Sequence, residues 1–286
     1  MNLCWGGEAG YVVTGSWSEK ALFEGKKYCQ PAVIADAKNY SPDGLYNDIA
    51  HYNDWDLHQE KKLGYIHFCS NETIQGVQYA KIPDMANNEI PLVCDMSSDI
   101  LSREIPIKNF GIIYAGAQKN LGIAGVTIVI IRKDLLENGN VSSKEIPSIL
   151  HYKNVCEKNS LINTPCTYAI YFCNRVLHWI DSLGGIAEIG KMNNEKASLL
   201  YDYLDSESFY PTRVAKQARS KMNVVFDLKQ PDLLNKFLES SNAYGLYQLK
   251  GHRNQGGIRA SIYNAMPKSG VIRLIEFLSK FAKQYA

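Results

Sequence analysis

The chain has 286 residues, 45% hydrophobic and 21% charged, and 31 Lys+Arg against 29 Asp+Glu leave a formal net charge of only +2. That length suits one large α/β domain or two ordinary ones, while so even a charge speaks against a nucleic-acid binder, whose basic face must neutralise many phosphates. The longest strongly apolar stretch, Val126 to Ile131, is far short of the roughly 20 residues needed to cross a bilayer. The opening MNLCWGGEAG does not read as a signal peptide, because Glu8 and paired glycines stand where an apolar run is required.

Seven cysteines, at 4, 29, 69, 94, 156, 166 and 173, are scattered without a CxxC pair, the pattern of reduced thiols in a cytoplasmic protein. Neither they nor His51, His58, His67, His151, His178 and His252 fall at metal-ligand spacing, so no metal is expected. All the histidines but His252 read as structural or exposed. Lys26-Lys27 and Lys61-Lys62 read as solvated surface.

In chain order, Ile90–Cys94, Gly111–Ala115 and Val126–Ile131 are β-rich runs without polar alternation, as strands buried on both faces read. From Thr167 to Asp181 the apolar positions Ala169, Phe172, Cys173, Val176 and Ile180 keep helical spacing, and Gly184-Gly185 supplies the stop. Lys221–Leu228 and Gly257–Tyr263 read as strands, and Val271, Leu274, Ile275, Leu278, Phe281 and Ala282 as the buried stripe of a last helix. The expected fold class is α/β: residues 1–182 form a large domain with a mostly parallel sheet flanked by helices, and 183–286 a smaller C-terminal α+β domain.

The stretch CDMSSDILSREIPIKNFGIIYAGAQKNLGIAGVTIVII carries the chemistry. Asp95 ends one buried strand and Lys119 follows the next, 24 residues on. Ligands bind at the carboxyl ends of such strands, so the two side chains can converge on one site. Small residues around Lys119 leave room for a flat cofactor. An amine to form a Schiff base and a carboxylate to keep a pyridine nitrogen protonated are what pyridoxal phosphate chemistry requires. Arg253 and Arg259, flanking Gly256-Gly257, suit an anion. Taken alone, Trp17 reads as a core aromatic, Thr73 as a turn or N-cap residue, and Asn163-Thr164-Pro165 as the loop into a helix.

The segments YVVTGSWSEKA, NETIQG, CDMSSDILS, YAGAQKN, NTPCTYAIY and GHRNQGGIRASIYNA, in this order over nearly the whole chain, resemble the phosphoserine aminotransferase family, fold-type I pyridoxal phosphate enzymes of the class V aminotransferases. VCDMSS and YVVTGSW are more similar in wording to the eukaryotic branch. The resemblance implies that Lys119 is the Schiff-base lysine and proton carrier, that Asp95 pairs with the pyridine nitrogen, that Trp17 stacks on the ring and that Thr73 bonds its phenolic oxygen. It implies that Ser97 and Gln118 hold the cofactor phosphate with Asn163 and Thr164 from the second subunit of a homodimer. Arg259 would grip the substrate α-carboxylate, and His252 and Arg253 the substrate's phosphate or side-chain carboxylate. The implied substrates are O-phosphoserine, glutamate and 2-oxoglutarate, in serine biosynthesis.

Two departures accompany the likeness. Asn254-Gln255 follow the His-Arg pair where the family usually has Ser-Val, and the family's N-terminal arm and glycine-rich GGxxxQF-type turn are not found in these residues. Besides an active phosphoserine aminotransferase, the sequence therefore leaves open a weak or inactive pairing partner, and a class V enzyme acting on alanine, glyoxylate or cysteine.

Overall fold

Residues 2–57, 63–84, 90–137 and 146–285 are described by the computed structural model; His58 and Lys61-Lys62 lie outside them. The first half of the chain supplies the strands β1 (Glu8–Val13), β2 (Gln30–Asp36), β3 (Ile66–Cys69), β4 (Asn71–Glu72), β5 (Val77–Gln78), β6 (Leu92–Asp95), β7 (Ile112–Gly116) and β8 (Thr127–Ile131). Helix α1 (Ser16–Gly25) separates β1 from β2. Six of these strands make one sheet in the order β2-β1-β3-β6-β7-β8, parallel throughout except for the last pair. In-line crossovers between parallel neighbours leave Cys69, Asp95 and Gly116 at the same edge, where the strands end.

β6 and β7 are buried as their unbroken apolar runs require, with Leu92, Cys94, Ile113 and Ala115 nearly inaccessible. β8 is a correction to the sequence reading. It lies at the sheet's margin, antiparallel to β7, and Val129 and Ile130 are exposed. Its apolar residues signal a strand but cannot distinguish a central one from a marginal one, because burial depends on what lies next to it.

Beyond the sheet come the short helices α2 (Lys133–Glu137) and α3 (Tyr152–Glu157), then α4 (Thr167–Ser182) and α5 (Gly185–Ser206). Gly184, at φ 98° between the last two, takes the left-handed conformation that ends a helix cheaply only without a Cβ. A two-stranded antiparallel ribbon of β9 (Asn223–Phe226) and β10 (Ile258–Ser261), with α6 (Leu234–Ala243) and α7 (Lys268–Tyr285), completes the chain. One core gathers Val12, Ile66, Phe68, Leu92, Ile113 and Ala115 around the sheet; Val214 and Ala218 join it from later in the chain. A second gathers Leu200, Tyr210, Phe226, Phe237, Ile258 and Leu278 around the ribbon and α7.

α5 is long but was not visible as a periodic apolar segment. Its inward stripe runs Ile189, Asn193, Lys196, Ala197, Leu200, Leu204, and two of these positions are polar. Asn193 donates to the Ser102 carbonyl and to Asn264 Oδ1, at 3.0 and 2.8 Å. The Lys196 ammonium is surrounded by backbone carbonyls, among them those of Tyr263 and Met266 at 2.9 Å, so both buried side chains find partners for their donors, although Asn193 Oδ1 has none.

Candidate active site

Lys119 sits in the turn after β7, at the carboxyl edge of the sheet. Its Nζ donates to Thr73 Oγ1 at 3.0 Å and lies 6.0 Å from the centroid of the Trp17 ring. Loss of water pulls its pKa below the ordinary lysine value; the Asp95 carboxylate pushes it back up and the Arg259 guanidinium pushes it further down. The amine is therefore easier to deprotonate than a surface lysine and stands within electrostatic reach of the Asp95 and Asp99 carboxylates and the Arg259 guanidinium. Its neighbour Asn120 anchors the turn, donating to the Ile100 carbonyl at 3.1 Å and accepting from the Asn264 N–H at 3.0 Å.

Asp95 ends β6. One carboxylate oxygen accepts the Ser97 N–H at 2.8 Å, closing an Asx turn, and Ser97 Oγ accepts the Gly116 N–H at 3.1 Å. The ends of β6 and β7 are thus tied together beside the lysine. Gln118 is exposed at the same edge.

Trp17 is carried by the first turn of α1, which has no side-chain cap of its own at Gly15. The cap comes from Glu72: its carboxylate accepts the Trp17 and Ser18 N–H groups, both at 2.9 Å, and the Ser18 hydroxyl at 2.6 Å. An anion at a helix N-terminus satisfies orphan donors and meets the positive end of the helix dipole. A Cβ at Gly15 would lie 2.5 Å from the Glu72 carboxyl carbon, so this close approach requires glycine. Sequence reasoning missed Glu72. The available signal was its place next to Thr73 in NETIQG together with a tryptophan helix start lacking a capping side chain.

Thr73 is buried, and the strand before it is fixed by Asn71, which donates to Ser98 Oγ at 2.7 Å and Asn223 Oδ1 at 3.0 Å. Arg259 projects from β10, half-buried. Among the described residues nothing accepts a hydrogen bond from its guanidinium, an open anion site. Trp17, Thr73, Asp95, Ser97, Lys119 and Arg259 are thus brought together by four segments from the first half of the chain and one strand of the ribbon. Asn163 and Thr164 are instead exposed in the loop before α4, and Arg253 is exposed in the turn before β10. His252, half-buried in that turn, accepts the Asn254 N–H at 3.3 Å. None of these four is hydrogen-bonded to the Lys119 cluster.

Pyridoxal phosphate fits this donor set. The softened amine of Lys119 can capture an aldehyde, the carboxylate of Asp95 can face a ring nitrogen, the Trp17 indole offers a flat face and Ser97 a hydroxyl beside backbone N–H groups. Among the described residues no group of three or more His, Cys, Asp or Glu could hold a metal ion.

Fold and site define a pyridoxal-phosphate-type aminotransferase domain, and the profile of the class-V aminotransferase family matches residues 38–274. The chain is 46% identical to the phosphoserine aminotransferase of Burkholderia vietnamiensis, an alignment covering 100% of this chain and 77% of the relative. It superposes on the phosphoserine aminotransferase of Bacillus circulans subsp. alkalophilus with a TM-score of 0.92 at 42% identity, covering 98% of this chain and 75% of the other. The pyridoxal-phosphate-bound phosphoserine aminotransferase of Trichomonas vaginalis gives 0.87 at 34%, covering 97% and 77%. The chain belongs to the phosphoserine aminotransferase family. Identity to these two bacterial relatives exceeds that to the Trichomonas protein, which lends no support to the expected eukaryotic likeness. No helix among the described residues is long and apolar enough to cross a membrane.

Proposed function

We propose that this chain is a phosphoserine aminotransferase, moving the amino group of L-glutamate to 3-phosphohydroxypyruvate to give O-phospho-L-serine and 2-oxoglutarate. The observation that carries the reading is the Lys119 amine, softened by burial and set between Asp95 and Arg259 beside the Trp17 ring, in a chain of this family. When bound, pyridoxal phosphate supplies a conjugated ring that takes up the electron pair left as the substrate Cα loses its proton. Lys119 attaches the cofactor and, once displaced by substrate, carries the proton to and from Cα. Asp95 accepts the hydrogen on the pyridine nitrogen, Thr73 bonds the phenolic oxygen, and Trp17 covers one ring face. Ser97 and Gln118 hold the phosphate. Arg259 grips the substrate α-carboxylate through its planar fork.

The remaining residues act in this reading across a homodimer with shared active sites. Asn163 and Thr164 reach the cofactor phosphate of the other copy, and His252 and Arg253 meet the substrate's phosphate near the subunit boundary. Support comes from α4, which follows the Asn163-Thr164 loop and leaves Tyr168, Ile170, Tyr171 and Leu177 exposed, an apolar face of the kind a second copy covers. Division at residues 182 and 183 is supported by the second core, whose members all follow it, although Val214 and Ala218 pack into the first; a cytoplasmic setting accords with seven free cysteines.

Covalent capture tests the reading. Incubation with pyridoxal phosphate followed by borohydride reduction is expected to add one cofactor mass to the peptide containing Lys119 and none to the Lys119→Ala protein. Labelling spread over many lysines and undiminished in Lys119→Ala contradicts it.

A further inference from the structure

Behind Asp95, on the same face of the sheet, lies a buried polar pair for which the proposed chemistry has no stated use. Tyr114 stands opposite Asp95 in the parallel register of β6 and β7, and His67 stands two residues before Cys69, the residue opposite Asp95 on β3. Side chains at such register positions share a face. The Tyr114 hydroxyl lies 2.9 Å from His67 Nε2, and across the β6–β7 register Tyr114 is paired with Asp95, whose nearby carboxylate helps to raise the phenol's pKa. The His67 ring is clamped between two aromatic rings, Tyr114 on one side at 6.0 Å and 28° and Tyr11 on the other at 5.3 Å and 34°.

The hydrogens of this chain can be assigned by elimination. A carboxylate only accepts, so with the single phenolic hydrogen of Tyr114 turned toward Asp95, the phenolic oxygen accepts from His67 Nε2–H. That leaves Nδ1 as the bare nitrogen, and Nδ1 is the ring atom that has no partner in the interior. An unpaired acceptor there costs less than an unpaired N–H or a buried charge. Burial favours this neutral form, pulling the His67 pKa down to about 4 and holding the Tyr114 phenol protonated.

We infer that His67 and Tyr114 are positioning residues for the transamination: a directed chain, His67 Nε2–H to Tyr114 O–H to the Asp95 carboxylate, aims one carboxylate oxygen at the cofactor's ring nitrogen. Among the described residues the hydrogen bond that holds the Asp95 carboxylate is the one from the Ser97 N–H. Without the phenol the carboxylate is free to rotate, and its contact with the ring nitrogen is held less of the time. Groups that orient a liganding side chain from behind commonly matter by ten- to a hundredfold.

The inference rests on the proposed cofactor chemistry, and the wild-type protein separates the two. If wild type fails to bind pyridoxal phosphate, the functional reading falls; if it binds and reacts, the variants decide. Tyr114→Phe removes one oxygen and keeps the ring stack, so it reports on the chain even where a His67 variant folds poorly. It is expected to weaken pyridoxal phosphate binding to the apoprotein about tenfold, and to slow the half-reaction with amino donor about tenfold with the half-saturating donor concentration unchanged. His67→Leu is expected to match it, the double variant to be no worse than the worse single one, and His67→Gln, whose amide can still donate to the phenol, to recover most of the loss. Cofactor affinity and half-reaction rate in Tyr114→Phe within twofold of wild type overturn the inference. So do losses that multiply in the double variant, or a thermal destabilisation unaccompanied by weaker cofactor binding, since that is what packing alone produces.

Discussion

Lys119 stands among opposed charges, chiefly Asp95 and Arg259, and the opposition can be measured without cofactor. Asp95 favours the ammonium form and Arg259 disfavours it, on top of a burial penalty that lowers the pKa. Only the neutral amine attacks an acylating reagent, so the pH of half-maximal labelling follows the pKa. Asp95→Asn removes the anion, lowers the pKa and moves that midpoint down; Arg259→Ala removes the cation and moves it up, each by on the order of one pH unit. Peptide mass spectrometry of Lys119 across a pH series in the apoprotein checks both directions, and shifts of the same sign in the two variants contradict the electrostatic account. At this scale much of the site was legible in the sequence, because an Asp ending one buried strand and a Lys following the next must meet at the sheet's carboxyl edge. Glu72 was not legible: its role exists only because the chain returns 55 residues later to cap the helix that carries Trp17. Tyr114 and His67 were hidden for a similar reason, standing in apolar strands where polar residues read as incidental until the register aligns them with Asp95.

Among the elements, legibility followed burial. β6, β7, α4 and α7 have uninterrupted apolar signals and were visible, whereas α5 was masked by the inward-facing Asn193 and Lys196. β8 was visible as a strand but not as a marginal one, since its residues say nothing of what flanks them. α4 has two apolar faces. Ala169, Cys173 and Ile180 point into the protein, while Ile170, Tyr171 and Leu177 remain exposed. In the proposed homodimer the outward set would form the contact that brings Asn163 and Thr164 to the other copy's cofactor. Ile170→Glu combined with Leu177→Glu is therefore expected to raise the dimer dissociation constant by about a hundredfold or more, since two charges would be buried without partners. Light scattering over a concentration series measures this, with cofactor affinity falling in parallel. A wild-type protein that is monomeric at all concentrations, or a variant that stays dimeric, contradicts the assignment of this face.

At the scale of the whole molecule, the site is assembled where two cores meet. Thr73, Asp95, Ser97 and Lys119 hang on the sheet, Trp17 on the helix that Glu72 caps, and Arg259 on the ribbon, whose Asn223 is tied by Asn71 to the strand before Thr73. Near-neutral overall charge suits this arrangement: the cations that matter are placed locally rather than summed over a surface. The central claim is that this chain exchanges amino groups with a phosphorylated substrate, and the most direct measurement is the absorption spectrum of the pyridoxal-phosphate-loaded protein as O-phospho-L-serine is added. The account predicts that the visible band of the loaded protein gives way to the near-ultraviolet band of the pyridoxamine form, that excess 3-phosphohydroxypyruvate restores it, and that alanine at the same concentration does neither. A visible band that O-phospho-L-serine leaves unchanged, or that only alanine converts, would contradict it.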